Sequence, residues 1–450
     1  MVLRNGIVWV LFACAAIALS PVKVAAQDAP APRVFEKIIV DGNSRFRDQD
    51  VIATSGLKTG DLVGEEELIA ALEALEFTGE FEDIVISSNG ETLIIAVEEA
   101  PPFSGGLTFG LGFDTDDGFF GSIGLSIDNA FDRGLAIRSN LVVAEESQTF
   151  RNLFSSDRFW GAERRGGVRF DIENFDFDNT AFDFVSGSIE PFITYDIAQN
   201  GLLELRYTFA IREIYNVNAL ASPILQAEDG QDISSGVGFS VLFASEGDPN
   251  GFETPRAWRL RFDQDFTGLG GDTAYSESRL TLNARQQITP SGFAIRTTVE
   301  LGAITALDND DPRASERFTL GGSRLRGFER ATVSPRDVCI GCAPDGSDLV
   351  TILGGNYFAV ARTDLLIPIF QNQPQIETFA FYDIGSAWNV DTDIAPAGTL
   401  EDSADFRSSY GIGASFDTAL GKFEAYYAIG TEGEPFDEDQ EFGLSFRAKF

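Results

Sequence analysis

The chain contains no histidine, and its single methionine is the initiator. The commonest general base and the commonest metal-binding side chain are therefore missing, and no nucleophile-and-base constellation is visible. Basic residues are scarce too: 33 Lys and Arg stand against 70 Asp and Glu, a formal net charge of −37. So acidic a chain argues against nucleic-acid binding, which calls for a basic face. After the N-terminus no apolar run is long enough for a membrane helix. Cysteine occurs three times. Cys339 and Cys342 form C-I-G-C, too few ligands for a closed zinc site, so the pair reads either as a small disulfide bracing a loop or as free thiols.

What the chain does have is glycine, at 45 residues, and phenylalanine, at 40. That balance suits a strand-rich protein with aromatic girdles. Arg4, the apolar run Ile7 to Leu19 and then Val24-Ala25-Ala26 read as a secretory leader over residues 1–26, cleaved after Ala26. Cys14 within Leu11-Phe12-Ala13-Cys14 invites a lipoprotein reading, but that would leave Ala15 to Leu19 as an apolar stub. The acidic pairs Asp116-Asp117 and Asp310-Asp311 fall between apolar runs and read as solvated loops.

Residues 33–99 form a small α+β unit on paper. Val34 to Val40 is a strand ended by the turn Asp41-Gly42-Asn43. Arg47 to Thr54 is a short helix closed by Gly56. Glu65 to Phe77 is a longer one, with Leu68, Leu72 and Leu75 at helical spacing and three glutamates in the first turn. Phe81 to Ser87 and Thr92 to Val97 are strands around Asn89-Gly90. Pro101-Pro102 marks the boundary, since proline cannot continue a ladder.

From residue 103 to 450 short alternating runs recur. In the last ten residues Phe442, Leu444, Phe446, Ala448 and Phe450 share one face, and Gly443, Ser445, Arg447 and Lys449 the other. Leu203 to Ile211, Trp258 to Phe262 and Tyr357 to Ile367 behave alike. Alternation alone also fits a soluble sandwich. Confinement of charge to one parity over many strands favours a transmembrane barrel, apolar outside and polar within, and closure removes exposed edges. About sixteen candidate strands fall between residues 105 and 449, many near the roughly 9–11 residues that span a bilayer. The fold expected is mainly β: a 16-stranded barrel behind one small α+β domain.

One connection is exceptional. About fifty residues, 305–354, separate two strands and carry both cysteines and the segment L-G-G-S-R-L-R-G-F-E-R, Leu320 to Arg330. That segment is too polar to face lipid, so an arginine flanked by glycines is expected to point into the lumen. The first strand, Gly105-Gly106-Leu107-Thr108-Phe109-Gly110-Leu111-Gly112, is glycine-rich. Glycine weakens a strand interior, and it also suits a tight barrel corner.

The strand–helix–helix–strand–strand order, with V-D-G-N and G-E-F-E-D, resembles a POTRA domain. Gly321 to Phe328 is similar to the G-G-x-x-x-R-G-F/Y signature of the BamA/TamA outer-membrane barrel superfamily. Asp128 to Gly134, Gly354 to Pro368 and Phe379 to Gly385 resemble further motifs of that family, in the same order. The resemblance covers nearly all of residues 33–450 and is closest to BamA, though the chain has room for one POTRA domain where BamA proteins usually carry five. It implies that Arg326, with Gly327 and Phe328 beside it, reaches into the lumen to meet Asp364, Phe381 and Asp383. It also implies that Gly105, Gly106, Gly110, Gly112 and Phe450 lie at a lateral seam between first and last strands. The function implied is insertion and folding of outer-membrane proteins without cofactor, metal or catalysis. Its implied partners are the lipid bilayer, unfolded barrel clients, periplasmic chaperones and assembly lipoproteins, with the POTRA domain in the periplasm. A two-partner-type secretion pore for a dedicated exoprotein is the alternative.

Overall fold

The computed structural model describes residues 32–448 apart from 77, 79, 100–103, 131–134, 157–163, 177–179, 247–254, 309–310, 371–374 and 419–420. The expected leader, Pro101-Pro102, Asp310 and Phe450 lie outside the described residues.

In the N-terminal region, a strand Lys37–Asp41, helices Asp48–Ser55 and Glu65–Glu76, and strands Phe81–Asn89 and Thr92–Glu99 follow one another. Thr92–Glu99 is the central strand, with Lys37–Asp41 parallel to it from Lys37↔Thr92. Its Leu93, Ile95 and Val97 are buried on one face, the period-2 signature of a half-buried strand. Gly56 closes the first helix in the left-handed conformation, φ 72°, with its N–H donating to Ala53 O. The single strand expected over Val34 to Val40 is instead two. Arg33–Val34 pairs with Leu62–Val63, and the sheet strand starts at Lys37 and takes in Asp41. Gly42 makes the turn at φ 86°, where a Cβ would lie 2.1 Å from Val97 O.

The rest is a single antiparallel sheet of sixteen strands in sequence order. Its strands are β1 (Ser104–Asp114), β2 (Gly118–Ala130), β3 (Leu135–Ala144), β4 (Ser147–Ser156), β5 (Arg164–Phe175) and β6 (Asp183–Ala198). There follow β7 (Gly201–Tyr215), β8 (Gly230–Ala244), β9 (Arg256–Gly271), β10 (Tyr275–Gln287) and β11 (Ala294–Ala306). The last are β12 (Tyr357–Ile367), β13 (Ile376–Trp388), β14 (Arg407–Asp417), β15 (Gly421–Glu432) and β16 (Phe442–Ala448). The expected barrel is therefore present strand for strand. β9 is among the longest, running to Gly271 past a register shift against β8 at Ser235/Gly236.

The sheet turns one chemistry out and another in. Leu107, Phe109 and Leu111 are exposed, Leu111 to 83%, as are Leu205, Tyr207, Phe209, Ile412 and Ile429. The opposite parity carries the ions: Arg169 pairs with Glu190 and Glu204, and Arg206 with Asp265. Apolar side chains outward and mutually neutralised charges inward describe a wall between lipid and a polar lumen. No described helix is long and apolar enough to cross a membrane. Alternating strand direction puts the β1–β2 turn, the β11–β12 loop and the β15–β16 connection at one end of the barrel, called distal here.

Candidate functional site

The β11–β12 loop folds back inside the barrel. Phe318, Leu320, Leu325, Phe328 and Val333 are buried with Phe358 and Val360 of β12. This apolar plug anchors the loop, and the backbone between its anchors is built by glycine. Gly321 (φ 123°) packs so closely that a Cβ would sit 1.9 Å from Glu329 O. Gly327 (φ 94°) lies against Ser409, with 2.9 Å between its would-be Cβ and that of Ser409.

Those turns aim Arg326. Its Nε donates to Asp383 Oδ2 at 2.7 Å, and its Nη2 donates to Asp383 Oδ1 at 2.8 Å and Asp364 Oδ1 at 2.7 Å. The guanidinium lies 3.8 Å from the Phe381 ring centroid. Arg326 is 4% exposed and Asp383 0%. A planar fork on two carboxylates, stacked on an aromatic face, is an arrangement lysine could not reproduce. Ser409 Oγ donates to Arg326 O and fixes the backbone as well.

Arg326, Asp364, Asp383 and Phe381 are thus brought together. Phe328 is not with them. Expected beside the ion pair, it turns away into the plug, buried with Leu325 and Val333, because φ at Gly327 reverses the chain. Phe379 and Tyr426 take its place, their centroids 5.5 and 6.0 Å from the Arg326 guanidinium. Other partners carried no sequence signal. Arg296 on β11 donates to Asp364 at 2.8 Å and to Glu377 at 2.9 Å, and Arg285 on β10 donates to Glu377 at 2.7 Å. Glu424 on β15 stands 3.6 Å from Arg326. Arg296, Arg326, Asp364 and Glu424 line a cavity of about 470 Å³ that also touches Asp114 of β1 and Ser445 of β16.

Asp116 and Asp117 correct the expectation of solvated acids. Asp116 is 9% exposed and accepts the Ser323 N–H at 3.0 Å, while Asp117 accepts Arg330 Nη1 at 3.0 Å. They touch the loop some 200 residues away, which alternation between apolar runs cannot reveal.

At the seam, β1 and β16 are the two ends of the sheet order. Among the described residues no ladder joins them. Thr115, just beyond β1, reaches across: its N–H donates to Leu444 O at 3.0 Å. Gly105, Gly106, Gly110 and Gly112 all lie in β1, and none has positive φ. Gly112 has a packing reason, since a Cβ would meet the Phe120 ring at 2.5 Å. Gly106 has open space around it.

Cys339 and Cys342 are bridged, with Cα atoms 5.5 Å apart. The bridge ends the short strand Arg336–Cys339, which pairs with Leu349–Ile352 and Thr399–Glu401 at the distal end. It braces the end of that short strand.

A family model described as the Omp85 superfamily domain matches residues 129–450, and one described as surface antigen variable number repeat, the POTRA family, matches 34–100. The outer membrane protein assembly factor BamA of Neorickettsia risticii (strain Illinois) is 24% identical over 392 residues, 86% of this chain and 51% of the relative. BamA of Nitratidesulfovibrio vulgaris is 22% identical over 409 residues, 87% of this chain and 50% of the relative. The chain spans about half the length of these curated relatives. Among solved structures, BamA from Haemophilus ducreyi lacking POTRA domains 1-3 aligns with TM-score 0.72 and 18% identity, covering 92% of this chain and 84% of that one. CdiB from Acinetobacter baumannii aligns with TM-score 0.57 and 14% identity, covering 92% and 73%. The chain belongs to the Omp85 superfamily, as a BamA-like outer-membrane β-barrel preceded by a POTRA domain.

Proposed function

We propose that this protein folds and inserts β-barrel proteins into the outer membrane through the seam between β1 and β16. The observation that carries the reading is the seam itself: adjacent strands elsewhere pair along their lengths, but among the described residues no ladder joins these two. Strand edges with unpaired N–H and C=O groups invite another strand, and an incoming barrel strand would satisfy them by edge addition. The POTRA domain lies on the periplasmic side in this reading and receives unfolded clients, with chaperones and assembly lipoproteins as further partners. Arg326 and its carboxylates brace the loop, and the work is strand exchange with no covalent chemistry, nucleotide or cofactor.

Cysteines introduced as a facing pair on β1 and β16 test this. Oxidation abolishes client insertion into vesicles and reduction restores it. Full activity in the locked barrel would overturn the proposal.

The second reading is a secretion pore for one exoprotein, favoured by the fold likeness to CdiB. Depletion separates the two: loss of many barrel proteins from the outer membrane marks an insertase, and loss of one secreted protein marks a pore.

A further inference from the structure

Loop residues 322–332 contact both sides of the seam. On the β1 side, the β1–β2 turn holds the loop through consecutive residues. Asp116 caps the short 3-10 turn Gly322–Arg324 by accepting the Ser323 N–H at 3.0 Å, and Asp117 takes Arg330 at 3.0 Å. Gly322 fits the carboxylate closely, since a Cβ there would lie 2.4 Å from Asp116 Oδ2 and φ is 55°. The same turn carries Thr115, the residue that bonds β16.

On the β16 side, the loop pairs as a strand with the residues leading into β16. Gly327 stands opposite Gln440 and Phe328 opposite Asp439. Glu329 N–H donates to Glu438 O at 2.8 Å, and Glu438 N–H donates to Thr332 Oγ1 at 2.9 Å. A second link runs through the barrel wall. Tyr426, beneath Arg326, covers Gly443 of β16 so tightly that a Cβ would lie 2.0 Å from its ring.

Among the described residues both sides of the gap are therefore bonded to one loop, and no ladder joins them to each other. From this we infer that Asp116, Asp117 and Arg330 are positioning residues that make the loop a clasp over the distal end of the seam: releasing the β1–β2 turn from the loop frees β1 to part from β16. The inference rests on the proposed role of the seam and adds what holds it shut. The assignment places the hinge at the turn and the fixed side at β16, because the loop's backbone ladder and the Tyr426 contact both lie on the β16 side. Two carboxylate contacts are easier to release than a backbone ladder combined with a buried ring.

The test uses the full chain in lipid nanodiscs, with spin labels on β1 and β16 and a control pair on β8 and β9. Asp116→Ala and Arg330→Ala each raise the population of long β1–β16 distances, by roughly tenfold if one charge-assisted hydrogen bond is lost. The β8–β9 distances stay unchanged. The reversed pair Asp117→Arg with Arg330→Asp restores the short distance. If Asp116→Ala does not fold, Arg330→Ala, half-buried in the loop, carries the measurement. Unchanged β1–β16 distances in folded Arg330→Ala would overturn the clasp. The readout needs no client: a seam that opens on these substitutions in a protein that inserts nothing keeps the clasp and removes the insertase.

Discussion

β6 and β7 pair from Asp183↔Tyr215 to Ala198↔Gly201, while among the described residues no ladder joins β1 to β16 and Thr115, just beyond β1, bonds Leu444 of β16. The two regions also hold their charges differently. On the stiff wall Arg169, Arg206 and Arg261 lie among Glu190, Glu204, Asp263 and Asp265, side chains of neighbouring strands that the ladder already holds in place. Near the seam the ions tie strands to a loop, Arg326 to β12 and β13 and Arg330 to the β1–β2 turn. Where backbone pairing is complete, side-chain ions add to an arrangement already fixed. Where it is not, they decide the geometry.

Arg326→Ala is the strongest way to sharpen that contrast. It leaves the Asp383 carboxylate buried without its bidentate partner, and breaking a buried pair costs about 3–5 kcal/mol. The folded band on a heat-modifiability gel then melts at lower temperature, and the loop becomes accessible to protease. Arg261→Ala, on the stiff wall with a half-exposed side chain, costs less than about 1 kcal/mol. Equal losses in the two variants would remove the distinction between regions.

Glycines at the seam give the next two effects. Gly443→Val drives a side chain into the Tyr426 ring, and overpacking of this kind costs about 1–3 kcal/mol. It should also loosen β16, read as faster hydrogen exchange in its amides. Gly106→Ala meets nothing within 4 Å and no left-handed backbone, so it stabilises by about 0.4–1 kcal/mol through the unfolded chain. The weak-strand account adds that Gly106→Ala slows client insertion. Unaltered insertion in the stabilised variant would leave Gly106 without a role at the seam.

Much of this was legible in the sequence, because strands announce themselves by parity. Leu205, Tyr207 and Phe209 against Arg206 and Thr208 fix both the element and its lipid face. Asp364 and Asp383 could be placed inward by the same alternation, and the glycines around Arg326 marked a loop that turns sharply. What remained hidden depends on register across strands. Arg296 meets Asp364 because those residues stand opposite each other in the β11–β12 ladder, and no local pattern predicts which rows align. Asp116 looked like any loop acid, since its partner Ser323 offers a backbone N–H, which every non-proline residue has. Phe328 was placed beside the ion pair by the resemblance alone, and no pattern in the sequence shows that positive φ at Gly327 turns it into the plug.

The last expected effect is a pH dependence of the loop's hold on the β15–β16 connection, and its sign follows from the carboxyls around Glu329. A hydrogen bond shared with the Glu438 carboxyl, together with partial burial and that residue's charge, pushes Glu329 up to about 7 from an ordinary 4.5. Glu438 faces it from the β15–β16 connection, Asp116 from the β1–β2 turn and Glu146 from the β3–β4 turn, all of them acidic, while Arg330 is its neighbour in the chain. The loop seated on the β15–β16 connection therefore holds a proton that a loop detached from that connection gives up near 4.5. Its contribution is complete below about 4.5 and is lost as pH rises through about 7. Distances between labels on the loop and on the β15–β16 connection should be shortest at pH 5 and lengthen toward pH 8. In Glu329→Gln, which carries no titrating proton, the profile should flatten. A wild-type profile that is flat, or that tightens with rising pH, would mean that Glu329 and Glu438 do not share a proton in the closed loop. The clasp would then rest on Asp116, Asp117 and Arg330 alone.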